Sequence, residues 1–249
     1  MCDAPAVAMA RATADAILLE LRACGIPARA ELMAAEYMTS NLVHLGCTVP
    51  DVRRIAKDAA RALGTEPAAH VVAIALALVA QRSHDSRQAA YELLGALPAV
   101  RDGLGVKQLE ALARDNDNWA AVDCFCSALS GPQYARGLLA GATLTRWAKS
   151  RDAWTRRAAL ATVASAFQRA ALRTTAPLAP SFSVCEQLVG DRHDHVVKAL
   201  SWALRNLISR DRAGVERFLA LHEARLAARV KREVGVKLRT GVKNARKPT

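Results

Sequence analysis

The chain has 249 residues, 52% of them apolar but only 4% aromatic, so it can bury a sizeable core that must be built from Ala, Leu and Val rather than from rings. Abundant Ala, with the best helix propensity, and few β-branched or aromatic alternations exclude a sheet architecture and read as all-α. A formal charge of +12 points to an anionic partner, and the longest apolar run, VVAIALALVA at 71–80, is too short to span a bilayer and suits a buried helix.

Periodicity and breakers predict helices over 6–23, 27–38, 49–63, 67–82, 85–97, 105–114, 118–129, 132–140, 142–150, 152–171, 181–189, 193–209, 212–222 and 225–240, with no strand. Pro50, Pro67 and Pro132 sit where a first helical turn tolerates them, and Gly25, Gly46, Gly64 and Gly131 fall at the expected breaks. RTTAPLAPS (173–181) is the one candidate linker and is too short to separate independent domains. Residues 1–240 are therefore expected to form one domain, with 241–249 as a basic, disordered tail. Helices this short and apolar cannot bury their faces alone. Helix pairs recurring at a spacing of about 35–45 residues look like HEAT-type units. The expected fold is an all-α, HEAT-like helical-repeat solenoid (an α-α superhelix) with a concave basic groove lined by the second helix of each pair.

The charge is unevenly placed. Residues 1–50 are slightly acidic, whereas 225–249 carry nine Lys and Arg against Glu233 alone, an asymmetry that suggests nucleic acid or a membrane surface. A base composition favouring Arg and Ala codons is the competing explanation. The six cysteines show no CxxC spacing, and Cys124 and Cys126 diverge on a helix, so no metal site is expected. MCDAPAVAMARATADA lacks a basic segment before an apolar one and does not read as a secretory signal. The cysteines are accordingly expected to be reduced and buried, in a cytoplasmic protein.

Three stretches could line one groove. In NDNWAAVD (116–123), Trp119 and Asp123 are i,i+4 and share a helix face. The bland alternative is a half-buried Trp beside a solvated Asp. In RDAWTRRAAL (151–160), Trp154, Arg156 and Arg157 open a core-like helix. Cations at a helix N-terminus oppose the macrodipole, which hints at an external anion. In HDHVVKALSWALRN, Lys198, Trp202 and Arg205 form one stripe at i, i+4 and i+7, a pattern that suits a phosphodiester beside a base or sugar or, equally, an indole packed under aliphatic stems. His193 and His195 precede that helix, where phosphate contact and plain surface are both open.

Together these segments resemble the AlkD-type DNA alkylation repair glycosylases, a HEAT-like repeat family, over nearly the whole chain. EYMTSNLVHLGCTVPDVRRIAK (36–57) resembles the family's N-terminal stretch. NWAAVD resembles its Trp-x-x-x-Asp helix, WTRRAAL its Trp-x-x-Arg-x-Ala segment and KALSWALRN its Lys-x-x-x-Trp-x-x-Arg helix. The resemblance implies excision of cationic N3- or N7-alkylated purines from double-stranded DNA, by a monomer, without a base-binding pocket. It implies Asp123 as the catalytic carboxylate, Trp119 and Trp202 as aromatic walls around the lesion, Arg157 on the DNA backbone and Tyr37 lining the groove. The adjoining Trp154, Arg156, Lys198 and Arg205 are expected to contact DNA. The Gly-rich GPQYARGLLAGA (131–142) departs from a regular repeat helix.

The chemistry can be argued separately. Departure of a cationic base leaves an oxocarbenium-like sugar, and a fixed carboxylate stabilises that charge or orients water. Indole faces attract cations by about 0.5–2 kcal/mol each. No cofactor or metal is required for this. The rival readings are a non-catalytic DNA-binding or damage-sensing protein and a protein-interaction scaffold.

Overall fold

The computed structural model describes residues 4–243, apart from the side chains of Ala4 and Tyr37. Residues 244–249, most of the expected tail, lie outside the described residues. The chain divides into two compact units, Met1–Leu129 and Ser130–Thr249. The fold is all-helical, as the composition predicts. Among the described residues the only extended pairing is an isolated parallel bridge between Val43 and Ser83, made by the Val43 N–H to the Arg82 carbonyl (3.0 Å) and the His84 N–H to the Val43 carbonyl (2.9 Å).

The first unit runs through α1 (Ala4–Ala23), α2 (Pro27–Leu32) and a π-helical turn, Met33–Tyr37. It continues with α3 (Val49–Ala62), α4 (Ala68–Ala80), α5 (His84–Ala96), α6 (Pro98–Asp102), α7 (Val106–Ala113) and α8 (Trp119–Phe125). The starts are set by side chains that satisfy orphan backbone donors: Thr48 accepts from the Asp51 N–H with Pro50 in the first turn, Ser83 from the Ser86 N–H and Asn118 from the Ala121 N–H. α1 packs on α4, α3 and α4 pack on α5, and α5 packs on α8. The apolar run at 71–80 is a core helix, with Val71, Ile74, Ala75 and Leu78 fully buried, each large side chain worth about 1.5–3 kcal/mol. No helix among the described residues is long and apolar enough to cross a membrane.

The second unit comprises α9 (Gly131–Ala135), α10 (Gly141–Ala148), α11 (Ala153–Gln168), α12 (Ala170–Arg173), α13 (Leu178–Gln187), α14 (Asp194–Leu207), α15 (Arg212–Leu221) and α16 (Ala228–Thr240). α11 is its centre. Every residue from Arg157 to Phe167 is buried, because α9, α10, α13 and α14 all pack on it. The alanines at 158, 159, 161, 164 and 166 leave room for neighbours on every side, where larger side chains would hold them off.

Four local expectations are corrected. Gly131 is no break: helical backbone runs from α8 through a π-helical turn, Cys126–Ser130, into α9. Pro132 lacks an N–H and its ring clashes with the carbonyl four residues earlier in a regular α-helix, and a π turn relieves that conflict. α9 then stops at Ala135, not at 140, and Gly137 turns the chain at φ 74. The linker expected at 173–181 is half helical, since α13 begins at Leu178, and α6 occupies a segment read as loop.

Candidate functional site

Trp119 opens α8 and Asp123 lies one turn later, both half-buried on the same helix face. Their position is fixed by the three residues ahead of them, each with a separate task. Asn116 is buried, and its side-chain oxygen accepts from Arg87 Nη1 (3.1 Å) and from the Tyr91 hydroxyl (3.1 Å), both on α5. The Asp117 carboxylate accepts from Ser40 Oγ and from the Asn41 N–H. Asn118 caps the helix through the Ala121 N–H (2.8 Å) and donates to Ser40 Oγ (3.2 Å). Beneath them Phe125 meets Tyr91 edge-on, with ring centroids 5.5 Å apart. The cluster read from sequence as a turn and cap is thus also the anchor that ties α8 to α5 and to the 40–41 segment. Its partners lie 25 to 78 residues away in sequence, where no local pattern reports them.

That 38–48 segment is itself braced. Asp85, at the start of α5, accepts from the Leu45 N–H (2.7 Å) and the Cys47 N–H (3.1 Å). The His44 and His84 rings lie 5.2 Å apart, tilted at 41°, and burial lowers the pKa of both, that of His84 to about 4. Tyr37 ends the π-helical turn just before this segment, and its side chain is outside the described residues. After Asp123, Phe125 and Cys126 are fully buried in the core, whereas Cys124 is only half-buried, and desolvation holds its thiol well above the usual range.

In the second unit the expected residues gather on α11 and α14, which pack together. Trp154 stacks obliquely on His195 (4.8 Å) and meets His193 edge-on (6.1 Å). Arg157, 5% exposed, donates to the His195 carbonyl (2.6 Å). Burial, then the positive charges of Arg157 and Lys198, lowers the His195 pKa, which favours a neutral ring. Lys198 pairs with Asp194 (2.6 Å) and remains substantially exposed. Trp202 is half-buried one turn further along α14.

Two of the expected cations are engaged inside the unit. Arg156 pairs with Asp191 (2.7 Å) and donates to the Ser150 and Arg151 carbonyls. Asp152 caps α11 through the Trp154 and Thr155 N–H groups. The anion that basic residues at this helix start call for is therefore supplied in part by Asp152 and Asp191. Arg205 reaches Glu233 of α16 (3.7 Å), which also accepts from Ser201 (2.7 Å). This strap joins α14 to α16. The Trp154–His193–His195 cluster is the feature that sequence reasoning left open; its only signal was HDH ahead of Lys198.

Charge separates with the units. Residues 1–129 hold 12 Lys and Arg against 15 Asp and Glu, a net −3, and residues 130–249 hold 23 against 8, a net +15. A half-buried carboxylate beside an indole, in the acidic unit, can stabilise a developing cation. A strongly cationic second unit with exposed Lys198 and a half-exposed Trp202 can hold a polyanion.

No curated protein matches the sequence. The family model described as DNA alkylation repair enzyme matches residues 17–238, and the chain belongs to that family.

Proposed function

We propose that the protein is a monofunctional DNA glycosylase that hydrolyses the N-glycosidic bond of cationic N3- and N7-alkylpurines in duplex DNA, acting as a cytoplasmic monomer. The observation that carries this reading is the Trp119–Asp123 pair on α8, held in register by Asn116, Asp117 and Asn118. An alkylated purine is already cationic and leaves readily, and positive charge passes to the deoxyribose as the bond breaks. The Asp123 carboxylate stabilises that charge and orients the attacking water, while Trp119 and Trp202 present π faces to the cationic nucleotide. Lys198 serves the phosphate backbone beside Trp154. Arg157 acts from a buried position, and Arg156 and Arg205 stiffen the surface through Asp191 and Glu233. Tyr37, as the family resemblance implies, is proposed as a further DNA-binding residue.

The test is base release from duplex DNA carrying N7-methylguanine or N3-methyladenine, wild type against Asp123→Asn. The expected result is a loss of at least about 100-fold in the rate of release, the scale of one electrostatic group, with DNA affinity retained. Undiminished release by the variant overturns the role of Asp123. An inactive wild type that still binds alkylated DNA supports the rival reading of a damage-sensing protein.

A further inference from the structure

We propose that Cys24 and Cys47 form a reversible disulfide that makes the 24–47 segment an oxidant-responsive site, with Cys24 oxidised first and Cys47 closing the bond. The two thiols are 3.5 Å apart, Sγ to Sγ, and both lie against the Leu21 carbonyl, at 3.3 and 3.0 Å. Cys24 follows the last turn of α1 and is half-exposed, whereas Cys47 is 6% exposed just before α3.

The backbone is built for this approach. Each cysteine has a glycine on the side facing the other strand of chain, in Cys24-Gly25 and Gly46-Cys47. A Cβ on Gly25 would lie 2.4 Å from the Leu45 carbonyl oxygen, and one on Gly46 would lie 2.2 Å from that of Ile26. Gly46 also adopts φ 81, a conformation that favours glycine. The Ile26 N–H reaches the Gly46 carbonyl (3.4 Å), and Arg29 Nε reaches that of Cys47 (3.2 Å). Asp85 holds the far side through the Leu45 and Cys47 N–H groups. Two independent restraints thus keep the thiols adjacent. A disulfide needs a sulfur separation of about 2.05 Å, so the remaining closure of roughly 1.5 Å is small.

The order of attack follows from exposure and charge. Burial, and then the Asp85 carboxylate, hold the Cys47 thiol protonated, so a peroxide meets Cys24. Hydrogen peroxide converts the Cys24 thiol to sulfenic acid and is reduced to water. Cys47 sulfur then attacks the Cys24 sulfur; the S–OH bond breaks, and the hydroxyl leaves with the Cys47 proton as a second water. The two thiols supply two electrons and two protons, and a dithiol reductant returns them. Cys185, its pKa raised by burial to about 12, and the equally suppressed Cys124 are poor competitors. The bond would clasp the stretch that contains α2, Tyr37, and the Ser40 and Asn41 groups that hold Asp117.

The test uses the full chain treated with hydrogen peroxide and then quenched. Denatured thiols are expected to fall from six to four, and non-reducing peptide mapping to join the Cys24 and Cys47 peptides. The melting temperature should rise by roughly 5–10 °C, the effect of closing a loop of this length in a chain of this size, and dithiothreitol should reverse all three. Cys47→Ser should stop at a dimedone-reactive Cys24, whereas Cys24→Ser should form no bond at Cys47. A thiol count that stays at six, a bond joining any other pair, or wild-type Cys24 passing irreversibly to sulfinic acid overturns the proposal.

Discussion

Replacing Asn116 with Ala tests whether the loop ahead of α8 is an anchor. Arg87 is 2% exposed, and its Nε has no partner among the described residues. Its Nη1 relies on the Arg114 carbonyl and the Asn116 side chain. The substitution removes a hydrogen bond to a buried charge, about 1.5–3 kcal/mol, and one of two acceptors of the Tyr91 hydroxyl, about 0.5–1 kcal/mol. Tyr91 keeps the Leu112 carbonyl at 2.9 Å. The expected loss is therefore about 3 kcal/mol, read in urea as a lower midpoint with an unchanged slope. Asn116→Asp keeps both acceptors and gives Arg87 a counter-charge, so it should lose less than about 1 kcal/mol. The reasoning is refuted if Asn116→Ala stays within about 0.5 kcal/mol of wild type, or if Asp is as damaging as Ala.

Three further outcomes are expected. Gly46→Ala, at φ 81 with its Cβ against the Ile26 carbonyl, should cost at least about 2 kcal/mol, whereas Gly137→Ala, at φ 74 in open space, should cost about 1 kcal/mol; equal effects in denaturant would show that the close approach is not tight. Arg156→Ala should cost about 1–2 kcal/mol by breaking the mostly buried pair with Asp191, and a double-mutant cycle with Asp191→Ala measures the coupling. His84 has a folded-state pKa of about 4, lowered by burial and partly restored by Asp85, against about 6.5 in the unfolded chain. The unfolded chain thus takes up the proton first as pH falls. This contribution to stability is lost between pH 6.5 and 4, about 3 kcal/mol in all, and is constant above and below that window. Urea titrations at pH 7 and 5 should show His84→Gln with a shallower pH dependence than wild type; parallel profiles count against it.

The helical fold was legible because α3 and α14 carry strong apolar stripes and the Pro and Gly residues at most helix ends act locally. It was misread around Gly131 and Pro132, where a π turn removes the steric conflict that normally makes such a pair a break. The same limit applies at the site. Trp119 with Asp123, and Lys198 with Trp202, were legible from i,i+4 spacing alone. The engagement of Arg156 by Asp191 and of Arg205 by Glu233 was not, since those partners sit 35 and 28 residues away and only tertiary packing brings them close. Asn116 and Asp117 read as turn formers for the same reason, because their obligations are to residues on other elements.

The division of charge between −3 and +15 has a consequence for how the protein can be interrogated. Each DNA phosphate neutralised releases close to one condensed cation, so the slope of affinity against salt counts phosphate contacts. If DNA lies on the unit that holds the net positive charge, residues 130–249, that slope reports chiefly on the second unit. Asp123 lies in the first and contributes no cation to the count. On the proposed function, ionic strength and substitution at Asp123 would be nearly orthogonal controls: one would set how long DNA stays, the other what happens to it while it does.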